Sequence, residues 1–399
     1  MNAFADELKG RLAEIREQGL FRELRELETA QGPRVKIHGR EVLNFSSNDY
    51  LGLADHPALK QAAIRAVEHF GAGSGASRLI CGSLAPHQEL EEALAAFKGT
   101  ESALAFGSGY ATALGTIGAL LGRDDIIVLD KLVHASIVDA ARLCGAKLRI
   151  FGHNDLSGLE EILKWADGRK VGSAKRPQVL VVTESVFSMD GDVAPLQEMV
   201  VLKEKHGAWL MVDEAHGTGL FGQGRRGVAE ELGVGDQIEI QMGTLGKALG
   251  ASGGYICGSR ALTEMLINRA RSFIFSTAPV PASAASARAG VELVQSAEGE
   301  DRCGKLWQLV KQLGAGLAAL GRPLPGPGSA IVPVILGEEA AAMSAAAALL
   351  KAGILAPAVR YPTVARGQAR LRITLTASHT RQDVEQLLAA IAESIPRKS

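Results

Sequence analysis

Between about residues 100 and 258 the chain alternates short apolar runs with helix-like segments, and this alternation narrows the choice of fold more than any other feature. The runs are Ala103–Phe106, Ile126–Asp130, Leu148–Phe151, Val179–Glu184, Trp209–Asp213, Ile238–Thr244 and Tyr255–Cys257. Stretches such as VLVVT and WLMV are apolar at successive positions, so both faces of each strand must be buried. A mainly parallel sheet with helices on both sides meets that demand. The expected class is therefore α/β, built on one large, mostly parallel sheet. Ligands in such sheets bind beyond the carboxyl ends of the strands, so the polar residues that directly follow each run are the first candidates for chemistry.

The flanks read differently. Over residues 4–29, Leu8, Leu12, Ile15, Leu24 and Leu27 recur at spacings mostly of three or four among charges, which predicts an amphipathic helical arm with one buried stripe. Val35–Ile37 and Glu41–Phe45 flank His38-Gly39, the pattern of a short hairpin. Beyond residue 280, helical segments at about 281–297 and 301–320 precede the turn-rich stretch GRPLPGPGSA. A strand at Ile331–Leu336, a helix over 338–352 and a strand at Arg370–Leu375 follow. The expected organisation is an arm and hairpin over 1–45, a large domain over 46–289 and a smaller α+β domain over 290–399.

Bulk properties exclude several classes. Lys plus Arg total 43 against 44 for Asp plus Glu, which leaves no basic excess for nucleic acid or an anionic membrane. Cys81, Cys144, Cys257 and Cys303 lie far apart without CxxC spacing, so no zinc site or disulfide framework is expected. The N-terminus has no apolar h-region and no run of 18 apolar residues occurs, so the expectation is a cytoplasmic protein with no membrane partner. The 46 glycines point to many close backbone approaches, as a ligand-binding enzyme requires.

Two segments carry the chemistry. AWLMVDEAHG puts Asp213 at a strand end with His216 three residues on. An aspartate there can hold a proton on a heterocyclic nitrogen, as a pyridoxal enzyme needs, or can merely cap the next helix. MGTLGKALGASGG sets Lys247 among small residues, with Thr244 three residues earlier. An imine-forming lysine needs desolvation and close backbone approach, whereas a plain glycine-rich turn needs neither. The segment holds two decoys. Gly246-Lys247 imitates the end of a P-loop, but Gln241 and Ala248 break that motif. Gly250-Ala251-Ser252-Gly253-Gly254 matches GxSxG with His379 downstream, so an α/β-hydrolase using Ser252 is a remote alternative.

FGSGYATALG offers glycines between a strand end and a helix, where the amides of Gly109 and Tyr110 can cradle a phosphate. Ser188 in VFSMDGD and His134 in DKLVHAS also follow strand ends. The first is a candidate donor and the second is placed to lie flat on a planar ring, with ordinary turn and hydrogen-bonding roles as the alternatives.

NFSSNDYLGL at 44–53, FGAGSGASR at 70–78, HNDL at 153–156, FSMDGDVAPL at 187–196, VDEAHGTGLFG at 212–222, GTLGKALG at 243–250 and RLRITLTASH at 370–379 together resemble the α-oxoamine synthases. The likeness runs from about residue 20 to 390. It implies a fold-type I enzyme dependent on pyridoxal 5'-phosphate (PLP), working as a homodimer with active sites at the subunit interface. It implies that Lys247 carries the cofactor, Asp213 pairs with the pyridine nitrogen, His216 with the ring oxygen, and His134 stacks on the ring. Ser188, Thr244 and the Gly109-Tyr110 amides would serve the cofactor, with Thr277 reaching the neighbouring subunit's phosphate. Arg372 would hold the amino-acid carboxylate, Asn48 and Thr363 would line the substrate site, and Arg22 would orient the acyl substrate. The implied reaction joins an amino acid to an acyl-CoA or acyl-carrier protein with loss of carbon dioxide and without a metal. The closest resemblance is to the biotin-pathway branch, which uses L-alanine and a pimeloyl thioester. The glycine C-acetyltransferase, 5-aminolevulinate synthase and serine palmitoyltransferase types share the cofactor motifs, and Tyr361-Pro362-Thr363 carries a tyrosine common in those types.

Overall fold

The computed structural model describes residues 3–169, 176–324 and 328–395. Among them, seven strands form a central sheet in the spatial order Ser102–Phe106, Gly254–Gly258, Ile240–Thr244, Trp209–Asp213, Val179–Glu184, Ile126–Asp130 and Lys147–Phe151. Gly254–Gly258 runs antiparallel to both of its neighbours. The other adjacent pairs are parallel. Every residue of Ile126–Asp130 and Val179–Glu184 is buried, as their unbroken apolar runs require. The residues nevertheless divide by the two-residue period of a strand. Val128, Val181 and Val212 join a core on one face, while Ile127, Leu129, Val182 and Met211 join the core on the other.

The parallel strands end along one edge, at Phe106, Asp130, Phe151, Glu184, Asp213 and Thr244. That edge faces a second, antiparallel sheet in the order Ile331–Gly337, Ala369–Thr374 and Ala358–Val359. Ala297–Ala319, Glu339–Lys351 and Arg381–Ser394 form its helical partners. The division expected at residue 290 falls inside the continuous helix Pro281–Gln295, which lies against Pro57–Phe70 and Ala85–Lys98. Part of the GRPLPGPGSA turn, residues 325–327, lies outside the described residues.

The hairpin forms as expected from Arg34–Ile37 and Arg40–Asn44, with His38 and Gly39 at φ of 49° and 74°. Positive φ at both central residues gives the turn whose twist matches its strands. Arg40–Asn44 also accepts Ile354–Leu355 in parallel, so the hairpin extends the C-terminal part of the molecule.

The arm departs from expectation. Its helix is Ala3–Glu17, not 4–29, and residues 20–30 are not helical. Gly19 adopts φ of +67° just past the helix end, where glycine meets no Cβ penalty and stops the helix before Leu24 and Leu27. The stripe is not buried either: no residue of the helix is buried, and Phe4 is 69% exposed. Among the described residues its one ring contact is the Arg16 guanidinium, 3.9 Å above the Phe21 ring.

Candidate active site

The loop after Ile240–Thr244 presents Lys247. Backbone bonds from Leu245 N to Gly253 O (3.0 Å), Ala251 N to Leu245 O (2.8 Å) and Gly250 N to Lys247 O (2.9 Å) close this loop on itself. Gly250 has φ of +67°, and a Cβ there would meet the Leu53 backbone carbon at 2.6 Å, so only glycine lets the loop press on residue 53. The Lys247 Nζ atom lies 2.8 Å from His216 Nε2. Burial pulls the Lys247 amine down to about 8, with Asp213 and Glu184 opposing that shift and Arg372 reinforcing it.

His216 follows the Trp209–Asp213 strand and is 5% exposed. Burial, then the charges of Lys247 and Arg372, hold its pKa well below the ordinary value, so its ring is neutral. Its Nδ1 atom lies 2.5 Å from the hydroxyl of the fully buried Tyr50. That hydroxyl also interacts with Arg372 and lies 3.5 Å from Asn48 Oδ1.

Asp213 and Glu184 are direct partners across neighbouring strands. Burial raises the pKa of Asp213. Burial, then the Asp213 charge, raises Glu184 to about 8. Two carboxylates in so dry a place demand a cation or a proton, and Lys247 stands beside both. Arg372, from Ala369–Thr374, donates from Nε to Ser188 O at 2.6 Å and from a terminal nitrogen to Thr374 Oγ1 at 2.9 Å. Ser188 N donates to Glu184 Oε2 at 3.2 Å. His134 caps the helix Ala135–Cys144, its Nδ1 accepting from Ser136 N, while its ring stays exposed at the edge of the site. Surrounding protein lowers its pKa; the Asp213 charge opposes that and the Lys247 charge adds to it.

The residues present fit a phosphorylated pyridine aldehyde. Thr244 Oγ1 and Glu184 Oε1 are buried polar atoms without hydrogen-bond partners among the described residues. Thr244 stands against Gly109, where a Cβ would meet its methyl carbon at 2.7 Å. Gly109 is also the first residue of the helix Gly109–Leu120, whose unpaired amides suit an anion. An amine, a strand-end carboxylate, an orphaned hydroxyl and a helix N-terminus therefore converge.

The sheet edge thus gathers Lys247, His216, Asp213, His134, Thr244, Gly109, Ser188, Arg372 and Asn48. The side chain of Tyr110 instead turns outward, its hydroxyl donating to Asp139 Oδ2 at 2.8 Å, which leaves its backbone amide on the helix start. Arg22, Thr277 and Thr363 are exposed and stand apart from this group; Thr277 bridges to Ser77 and the Thr363 amide bonds Arg360 O. The hydrolase alternative fails. Ser252 precedes a strand instead of following one, and His379 is fully buried against Phe45, its nitrogens bonded to Thr376 N and Asn44 O. Two members of the site were not singled out from sequence, Glu184 and Tyr50. Glu184 had a visible signal, because it closes one of the apolar runs. Tyr50 lies inside the NFSSNDYLGL motif, but no local spacing shows its meeting with His216, which spans 166 positions.

The aminotransferase class I and II family model matches residues 40–391, and the chain belongs to that family. Within it, the chain is 49% identical to the 8-amino-7-oxononanoate synthase of Geobacter sulfurreducens over 96% of this chain and 97% of that protein. Among solved structures, the serine palmitoyltransferase of S. paucimobilis, which carries bound PLP, superposes with a TM-score of 0.89 at 32% identity, covering 98% of this chain and 96% of that one. The 8-amino-7-oxononanoate synthase of Francisella tularensis superposes with a TM-score of 0.75 at 28% identity, covering 89% of this chain and 98% of that one.

Proposed function

We propose that this chain is a PLP-dependent C-acyltransferase that condenses L-alanine with pimeloyl-CoA or a pimeloyl-carrier protein. The products are 8-amino-7-oxononanoate, the free thiol and carbon dioxide, a step of biotin biosynthesis. The observation that carries this reading is the desolvated Lys247 amine beside His216 and the Asp213–Glu184 pair, in a chain 49% identical to a synthase of that name.

When bound, the cofactor supplies an aldehyde for the substrate amine and a protonated ring that accepts electron density from the α-carbon. The chain's own residues do the rest. Asp213 would hold the proton on the ring nitrogen and His216 would bond the ring oxygen. His134 would cover one ring face. Thr244, Ser188 and the Gly109 and Tyr110 amides bind the phosphate side. Arg372 clamps the alanine carboxylate, with Asn48 and Thr363 beside it, and Arg22 orients the acyl substrate. Lys247 Nζ, in its neutral form, would take the α-proton. A carbon–carbon bond then replaces the thioester carbon–sulfur bond and the thiolate leaves to be protonated; the alanine carboxylate leaves as carbon dioxide, and Lys247 Nζ would return the proton to the α-carbon.

The active form is a homodimer with its sites at the interface. The uncovered stripe of Phe4, Leu8, Leu12 and Ile15 supports this, since a lone helix of this length is marginal in water. So does the exposure of Thr277, which would reach the cofactor phosphate of the neighbouring subunit. The four cysteines are all unbridged, as suits a reducing cytoplasm. Among the described residues no helix is long and apolar enough to cross a membrane.

A serine palmitoyltransferase activity is the second reading, favoured by the closer backbone match to that enzyme. Purified holoprotein given alanine, glycine or serine with pimeloyl-, acetyl-, succinyl- or palmitoyl-CoA separates the two. The proposal expects thiol release with alanine and pimeloyl-CoA. Release confined to serine and palmitoyl-CoA, or to glycine, overturns it.

A further inference from the structure

A charged cluster that the reaction does not use stands at the same edge of the sheet, centred on His153. His153 Nδ1 lies 3.1 Å from Asp130 Oδ1, and Nε2 lies 2.7 Å from Asp192 Oδ2. Asn154 joins the same two carboxylates, its backbone N donating to Asp130 Oδ2 at 2.8 Å and its Nδ2 to Asp192 Oδ2 at 3.1 Å. The His153 ring stands edge-on to Phe187, with centroids 4.3 Å apart and planes at 88°. Burial alone would lower its pKa, but the two carboxylates carry it up to about 10, so the ring is a cation at neutral pH.

Asp192 closes a tight loop over 187–192. Phe187 N donates to Asp192 O at 3.0 Å, Gly191 N to Phe187 O at 2.8 Å, and Ala194 N to Ser185 O at 3.0 Å. The tip of this loop is where the large sheet meets the strand Ala369–Thr374. Ser188 O accepts Arg372 Nε at 2.6 Å, and Asp190 Oδ1 accepts from Arg370 at 2.5 Å. Gly191 packs on the small sheet so closely that a Cβ would meet Ile331 O at 2.3 Å. The carbonyl that aims Arg372 therefore sits in a loop tethered at its far side by His153.

We propose that His153 is a positioning residue for Arg372, acting through Asp192 and the Ser188 carbonyl to set the angle at which the guanidinium meets a substrate carboxylate. The inference rests on the reading of Arg372 as the carboxylate clamp. A hydrogen bond to a carbonyl fixes a guanidinium only as firmly as the carbonyl is fixed. A planar bidentate pair tolerates little rotation before one of its two bonds is lost. Misplacement of the clamp affects the amino acid and not the acyl thioester, and that asymmetry separates positioning from general stability.

The test uses holoprotein and the Michaelis constants of both substrates. Asp192→Ala cuts the tether without stranding a buried charge, because Asp192 is 37% exposed and His153 keeps Asp130. His153→Gln removes the cation but keeps an amide donor. Asp192→Ala is expected to raise the amino-acid KM about tenfold and leave the thioester KM within about twofold, with His153→Gln giving a smaller rise. Arg372→Lys raises the amino-acid KM by itself, and adding Asp192→Ala to it adds little, because both act on one interaction. If Asp192→Ala and His153→Gln lower the melting temperature but leave the amino-acid KM unchanged while Arg372→Lys raises it, the positioning role is wrong and the clamp reading stands. Additive effects in the double variant also defeat the positioning role. An unchanged amino-acid KM in Arg372→Lys defeats the clamp reading itself.

Discussion

The Lys247 amine lies 2.8 Å from one nitrogen of His216, and the other nitrogen lies 2.5 Å from the Tyr50 hydroxyl. Imidazole and hydroxyl can each donate or accept, so this line of atoms suits either state of the amine. A neutral amine accepts from Nε2–H while Tyr50 donates to Nδ1. An ammonium donates to Nε2, and Nδ1–H then donates to Tyr50. The chain can therefore reverse without any heavy atom moving, which suits an amine that must both give and take a proton.

Tyr50→Phe tests that chain. The ring keeps its packing but His216 Nδ1 loses a buried partner, a change worth about 1–3 kcal/mol. The variant is expected to melt at a lower temperature and to lose about tenfold in kcat. An unchanged kcat alongside a lowered melting temperature would show that the hydroxyl only supports the fold.

The position of Lys247 predicts a pH dependence for cofactor uptake. An exposed lysine has its pKa at 10.5, whereas this amine is pulled down to about 8, chiefly by burial. Its neutral, imine-forming fraction is therefore about a tenth at pH 7 and rises as pH climbs through about 8. Stopped-flow absorbance of apoprotein mixed with PLP should show the uptake rate rising through that window. A rate flat from pH 7 to 9 would contradict it.

Gly109→Ala places a methyl where Thr244 now stands, 2.7 Å from its methyl carbon. Thr244 must give way, and with it the buried, unpartnered hydroxyl proposed to meet the phosphate. Cofactor affinity measured by fluorescence titration should fall by about tenfold, at 1.4 kcal/mol per decade. Unaltered affinity would move the phosphate site elsewhere.

Asp213→Asn keeps shape and hydrogen bonding but removes the charge proposed to hold a ring proton. Cofactor should still bind, while turnover falls by about a hundredfold or more. Turnover within about twofold of the parent would remove Asp213 from the chemistry.

The sheet was legible because burial on both faces writes unbroken apolar runs into the chain, and each predicted run from Ala103 to Cys257 overlaps an observed strand. Most of the gathered site residues lie near the ends of those strands, where chain order and space coincide. What the sequence hid depends on pairing between distant segments. Glu184 meets Asp213 only through strand register, and Tyr50 meets His216 only once the N-terminal segment folds across the sheet edge. The arm misled for another reason: its leucine spacing continues across Gly19, but the backbone does not. Arg22, Thr277 and Thr363 were named by resemblance alone, and a single chain leaves them exposed.

The central claim is that Lys247 holds the cofactor covalently. Borohydride reduction of PLP-saturated protein, followed by proteolysis and mass spectrometry, tests it most directly. The account predicts a pyridoxyl group on the peptide containing Lys247, absent from Lys247→Ala. An unmodified Lys247 in saturated protein, or the label on another lysine, would contradict it.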